Sequence, residues 1–264
     1  MVMRFGSVFA VSHLQDMPLP APFPSVGRTF TTHRTVRLGD VTPKGRLRLD
    51  ATARYLQDIA TDDALDGNYD DPHGWVVRRT EMWVREFPSY LDQLELVTWC
   101  GGVGSHWAER RTRITVKDST SPAIEAAALW VRVDLKTLKP LQLTDRFRTL
   151  IGEAAADRRI SARLLVGRDV PAGAKVAEEY PWALRFADFD AIGHLNNAVY
   201  WEPLEQYLGA HRDRRAPLHA TVEHHRSVEP GAHVTVNVHE LEGRVVLRML
   251  DGSETASLIQ LVTD

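Results

Sequence analysis

The stretch Asp188–Leu208, DFDAIGHLNNAVYWEPLEQYL, packs Asp188, Asp190 and His194 into seven residues. Carboxylate and imidazole are the side chains that most often move protons in general acid–base catalysis. An apolar run at helical spacing follows (Val199, Tyr200, Leu204, Tyr207, Leu208), and Asn196 or Asn197 is a suitable N-cap. The spacing predicts Asp190, Gly193 and His194 in a tight turn that feeds a helix N-terminus. Free N–H groups and a partial positive charge at such an end suit a developing oxyanion, so acyl transfer is the chemistry these parts could serve. The plainer alternative is an Asp-rich turn that only caps its helix, with a solvated histidine. The stretch alone does not decide between them.

The elements around it set the frame. Pro18 to Pro24 reads as an extended arm, because proline supplies no ladder donors. Phe30 to Leu38 is β-like, and Asp50 precedes a helix over 51–65 with Leu56, Ile59 and Ala60 on its apolar side. Four strand-like runs follow at 75–86, 93–100, 106–117 and 123–134, rich in Val, Thr, Trp and Ile. The Ala-rich fourth is assigned as a strand by its neighbours. A short helix is expected over 144–156, then a weakly periodic linker with Pro171 and Gly173. An extended piece at 180–186, the opening stretch and four strands (220–228, 233–241, 244–250, 255–262) complete the chain.

The order strand, helix, several strands thus occurs twice. At an ungapped offset of 148, Arg37 meets Arg185, Asp40 meets Asp188, Gly45 meets Gly193, Leu47 meets Leu195 and Leu56 meets Leu204. The expected fold class is α+β, a helix laid across a curved antiparallel sheet and made twice, the two sheets joined edge to edge. The offset also shows a difference. Asp190 meets Thr42 and His194 meets Arg46, so the first copy has neither acid nor imidazole. Capping would suit both copies, whereas chemistry needs only one.

Asp188 to Tyr200 resembles the signature of hotdog-fold thioesterases. Gly74-Trp75-Val76-Val77-Arg78-Arg79, Phe87 to Asp92, Leu96-Val97-Thr98-Trp99 and Ala128-Leu129-Trp130-Val131 resemble the acyl-acyl-carrier-protein thioesterases of plants and bacteria. The likeness runs from about Phe30 to the C-terminus. It implies a double hotdog: an arm over 1–28, an N-terminal unit over 29–157, a linker over 158–179 and a catalytic C-terminal unit over 180–264. It also implies release of free fatty acid from a phosphopantetheine thioester, with the catalytic aspartate on Asp190 and the histidine on His194. The family asparagine falls on Ile192, and its glutamate and cysteine fall on Ser227 and Val228.

Without that thiol, Asp190 is left as base or nucleophile. His194 can orient a water or the acid, or donate to the oxyanion. Gly193 clears the approach to backbone N–H groups 193–195, and Ser227 can hold a water but not act as a base. Glu223, His225, Ser227 and Glu229 would share one strand face if the strand ran on. Asn196, Asn197, Trp201 and Trp75 are the substrate-binding candidates. Met82, Trp83, Trp99 and Trp130 could also line an acyl tunnel, although core packing explains each as well. Arg111, Arg113 and Lys117 alternate onto one face that could meet an acidic carrier.

Composition narrows the partners. The 264 residues are 44% hydrophobic and 25% charged with a net charge of −3, which is globular and gives no basic field for nucleic acid. Cys100 is the only cysteine, so no internal disulfide or cysteine metal cluster can form, which suits a reducing cytosol. No apolar run approaches a membrane span, and the N-terminus is a poor signal peptide. The expectation is a cytoplasmic hydrolase without metal or cofactor, acting on acyl carrier protein or coenzyme A thioesters, with a homodimer left open. A double hotdog that binds acyl thioesters without cutting them is the alternative from another class.

Overall fold

A computed structural model of the chain describes residues 22–263, apart from 70 and 72. The part of the expected arm before residue 22 lies outside the described residues. The first half contains β1 (Thr29–Thr35), α1 (Leu49–Asp66), β2 (Gly74–Val84), β3 (Gln93–Val103), β4 (Trp107–Val116), β5 (Ile124–Val133) and the short α2 (Asp145–Leu150). The second contains β6 (Glu178–Trp182), α3 (Glu202–Ala210), β7 (Leu218–His224), β8 (Val234–Leu241), β9 (Arg244–Asp251) and β10 (Glu254–Thr263).

All ten strands form one antiparallel sheet in the order β1-β3-β4-β5-β2-β7-β10-β9-β8-β6. The order reads as one five-strand series followed by its mirror image. The seam is β2 against β7, where Thr80 faces Val222 and Met82 faces Ala220. Every residue of β7 is buried. Ala220 and Val222 join the apolar core, while His219, Thr221 and Glu223 alternate to the other face.

α1 has no glycine or proline inside it and buries Thr52, Leu56, Ile59 and Asp63 at helical spacing. It begins at Leu49, so Asp50 lies in its first turn, paired with Arg48 and Arg54 and not at the cap. α3 has half the length and is entered through a 3-10 turn at Val199–Trp201. The Ala-rich run is strand β5, as expected from its neighbours. The helix expected over 144–156 is capped by the Thr144 hydroxyl but loosens after Leu150 into a 3-10 turn.

The segment between the halves is not a loose tether. Trp107 Nε1 donates to the Ile160 carbonyl at 3.0 Å, and Arg79 donates to the Arg163 carbonyl at 2.7 Å. The Glu223 carboxylate accepts the N–H groups of Leu165, Val166 and Gly167. The segment is a strap across the sheet face opposite the helices, and the buried Glu223 is its anchor. Burial pushes that carboxyl above its usual range, and the three N–H donors oppose the shift. The end of the expected arm is also tied down: Phe23 packs edge-on against Trp99, and Arg28 bonds Asp63.

Candidate active site

The turn predicted around Asp190 is present, and the first half contains the same turn. Asp190 N–H donates to the His194 carbonyl at 2.9 Å, and Gly193 N–H to the Asp190 carbonyl at 3.0 Å. Thr42 N–H donates to the Arg46 carbonyl, and Gly45 N–H to the Thr42 carbonyl, both at 2.8 Å. Gly193 and Gly45 take φ values of +90° and +83°, a left-handed conformation that side chains disfavour. Asn196 N–H reaches the Asp188 carbonyl as Arg48 N–H reaches that of Asp40. Leu195 N–H donates to Val228 as Leu47 N–H donates to Pro88. The ungapped offset therefore corresponds to a repeated backbone.

The side chains differ. Asp190 Oδ1 accepts the Ile192 N–H at 2.9 Å, and Thr42 Oγ1 makes a weaker version with Lys44 at 3.4 Å. This is the capping role open to both copies. Oδ2 of Asp190 has no partner among the described residues. The His194 ring is half-buried and likewise without a partner among them. Its counterpart Arg46 is fully engaged, with two 2.9 Å bonds to Glu205 and its guanidinium 4.3 Å from the Phe87 ring centre. Glu205 also accepts the Leu49 N–H at 2.6 Å, so a residue of α3 caps α1. The first turn is closed by an ion pair, and the second leaves an acid and an imidazole uncommitted.

The expected oxyanion donors need correction. The N–H groups of Gly193 and Leu195 are both spent, and of the three only that of His194 has no partner among the described residues. The 3-10 entry explains this, because the helical N-terminus lies several residues further on.

Ser227 is exposed beyond the end of β7, which stops at His224. Its segment runs beside Leu195, but its hydroxyl makes no hydrogen bond to Asp190 or His194. The shared strand face expected for 223, 225, 227 and 229 therefore does not exist, and Glu223 lies buried beneath the strap. Asn196 holds the turn: its Oδ1 accepts the Ala198 N–H at 2.9 Å and Gln57 Nε2 at 3.1 Å. Trp201 is a core residue, 1% exposed. With Asn197 it borders a gap of about 20 Å³. Arg111 is buried in a pair with Glu109, while Arg113 pairs with Glu125 and stays partly exposed.

Two spaces concern an acyl substrate, one on the turn and one in the first half. An open groove of about 890 Å³ takes in Asp190 and Gly193 and is walled by Trp182, Phe186, Phe189 and Val234. A second, mainly apolar chamber of about 360 Å³ lies in the first half between α1 and the sheet, lined by Trp75, Trp99, Cys100, Trp130 and Phe147. It shares Gln57, Arg110 and Trp130 with the gap at Asn197 and Trp201. Trp75 is held there by its Nε1 bond to Asp71 at 3.2 Å. Met82 lies in the main core, and Trp83 stacks on His219 across the seam. Burial pushes the Cys100 thiol up to about 11, so it is no nucleophile at neutral pH.

Two residues behind the turn were not anticipated from sequence. Tyr200 packs edge-on against His224 with ring centres 4.6 Å apart, and both are buried. Burial lowers His224 to about 3, with Arg78 and His225 adding to the effect. The ring stays neutral in the fold, while an unfolded histidine protonates below about pH 6.5. Stability therefore falls as pH drops from 6.5 towards 3, by about 2 kcal/mol at pH 5. Urea unfolding at pH 7.5 and 5.0 checks this: His224→Phe should lose that part of the pH dependence.

Comparison with known proteins agrees with this architecture. Residues 27–151 match the acyl-ACP thioesterase N-terminal domain, and residues 172–261 match the C-terminal domain of the same family. An uncharacterized protein of Mycobacterium tuberculosis is 26% identical over 233 residues, covering 88% of this chain and 90% of the relative. A 12:0-ACP thioesterase from Umbellularia californica superposes with a TM-score of 0.71 at 17% identity, over 89% of this chain and 96% of that one. An acyl-ACP thioesterase from Bacteroides thetaiotaomicron gives 0.72 at 18% identity, over 89% and 98%. The fold is thus the hotdog in tandem, and the chain belongs to the acyl-ACP thioesterase family of thioester hydrolases.

Proposed function

We propose that the protein hydrolyses fatty acyl thioesters carried on acyl carrier protein, and that the second turn performs the cleavage. One observation carries this reading: the same turn is built twice, and in the second copy Asp190 Oδ2 and the His194 ring have no partner among the described residues, with Asp190 on an open groove. The units proposed to carry this division of labour are 29–157 and 180–264.

In this reading the thioester lies in the groove at Asp190. The free Oδ2 takes a proton from a water, and the water oxygen attacks the carbonyl carbon. The His194 N–H is the donor left for the resulting oxyanion. Collapse breaks the C–S bond, and the proton on Asp190 passes to the departing sulfur. The released products are a carboxylic acid and the carrier thiol. Direct attack by Asp190 through an anhydride uses the same geometry. The His194 ring orients the water or the acid. Ile192 contributes its backbone N–H, which fixes the rotamer of Asp190. The apolar chamber is the proposed seat of the acyl tail, reached past Asn197 and Trp201 once the narrow gap widens.

The test is a panel of thioesters of several chain lengths, each on carrier protein and on coenzyme A, scored by thiol release. The expected result is turnover with a higher kcat/KM on the carrier protein. A higher value on coenzyme A would move the assignment to acyl-CoA hydrolysis. Tight binding with no thiol released from any member would leave an acyl-thioester-binding protein.

A further inference from the structure

Beyond the end of β7, positive charge collects that the cleavage chemistry does not use. Register places Arg79, Glu223, Leu258 and Arg248 in one row across β2, β7, β10 and β9. The strap crosses this row: Val166 and Gly167 donate to Glu223 at 3.2 and 3.3 Å, and Asp169 pairs with Arg248 at 3.2 Å. Between these anchors sits Arg168, exposed and without a carboxylate partner among the described residues. Arg78 occupies the bulge between Val77 and Arg79. It donates to the His224 carbonyl and also has no carboxylate partner among the described residues. His225 follows at the strand end, with a buried Nε2 that has no hydrogen-bond partner among the described residues. Burial lowers the His225 ring below its usual range, and Arg78, Arg168 and Arg248 lower it further while Asp169 opposes them. Three guanidinium groups and an imidazole therefore gather about the exposed Asp169, while Glu223 is committed to the strap. Guanidinium forks match phosphate oxygens in geometry and charge.

The place is close to the turn. Val228, three residues after His225, accepts the Leu195 N–H at 2.9 Å. Three residues of chain span at most about 11 Å. An extended phosphopantetheine arm is longer than this span and reaches past it.

We propose that Arg78, Arg168, Arg248 and His225 bind the phosphoryl group of a pantetheine carrier, anchoring the arm whose thioester end reaches Asp190. The proposal rests on the reading of that turn as the cleavage site. Two sources offer this group: the phosphodiester at the base of a carrier protein's arm, and the nucleotide phosphates of coenzyme A.

Calorimetric titration with 4′-phosphopantetheine and with pantetheine tests the site without turnover. The phosphorylated arm should bind at least about tenfold more tightly, and Arg168→Glu should erase the difference. Arg168 is exposed and has no carboxylate partner among the described residues, so the thermal midpoint of that variant should match wild type. Equal binding of the two arms, or a preference that survives Arg168→Glu, overturns the proposal. Turnover then separates the sources. Arg168→Glu should lower kcat/KM for phosphorylated donors about tenfold more than for acyl-pantetheine. A greater loss on acyl-CoA than on the acyl carrier assigns the nucleotide phosphates, and an equal or smaller loss assigns the phosphodiester. If the wild-type protein cuts no thioester, the hydrolytic reading of the turn fails, while the titration still decides the phosphate site.

Discussion

Asp190→Asn is expected to lower kcat/KM for thioester cleavage by about a thousandfold, within the range of about 100-fold to 10,000-fold typical of losing a general base. The substitution separates two roles that alanine would merge. An amide oxygen at this position still accepts the Ile192 N–H, so the turn survives and the unfolding midpoint should stay near wild type. What is lost is the carboxylate oxygen that has no partner among the described residues. Thr42→Ala is the matched control. It removes a 3.4 Å contact to Lys44 from the corresponding turn and should leave the rate within about twofold, with a stability cost below about 1 kcal/mol. Full activity in Asp190→Asn would end the assignment. A large loss in Thr42→Ala would show that both halves share the chemistry.

The largest effect on stability is expected at Asp63, whose side chain is 5% exposed. Its carboxylate takes Arg28 Nε at 2.9 Å and Arg110 Nη1 at 2.6 Å. Arg110 borders both the apolar chamber and the gap leading to it. Asp63→Ala would leave that guanidinium without its counter-ion beside hydrocarbon, at a cost of about 3–5 kcal/mol in urea unfolding. Removing both charges, as Asp63→Leu with Arg110→Met, should recover much of the loss, because an isosteric apolar pair also avoids an orphaned ion. A cost below about 1 kcal/mol for the single change would mean that water reaches Arg110 freely. The chamber would then be wetter than a fatty acyl chain requires.

The duplication was legible from sequence because backbone constraints leave residue-specific traces. A left-handed glycine, a carboxylate closing the preceding turn and a buried leucine recur at a fixed offset from Arg37 to Leu47 and from Arg185 to Leu195. The strands were legible from β-branched and aromatic runs, and their ends shifted by a few residues where bulges or turns intervened. Cross-chain commitments were not legible. Arg46 and His194 look like a simple exchange of basic residues until Glu205, far away in sequence, is seen to occupy one and not the other. The oxyanion donors were misjudged for a related reason, since a Leu195 N–H directed at Val228 depends on a contact between distant segments. Bulk and aromaticity suit Trp201 to a pocket wall and to a core alike, so its sequence position does not separate the two. The strap was read as a linker because its contacts are mostly backbone groups meeting one buried carboxylate, which leaves no periodic signal.

The capping of α1 by Glu205 has a consequence for how the duplicated halves came to depend on each other. The residue supplying this cap and the helix it completes belong to one chain, with the capping side chain lying 156 positions downstream. Severed at the strap, the N-terminal piece would carry a helix start with its donors bare until its complement arrived. Covalent continuity therefore keeps the capping carboxylate and the helix it serves at equal number, whatever the protein concentration.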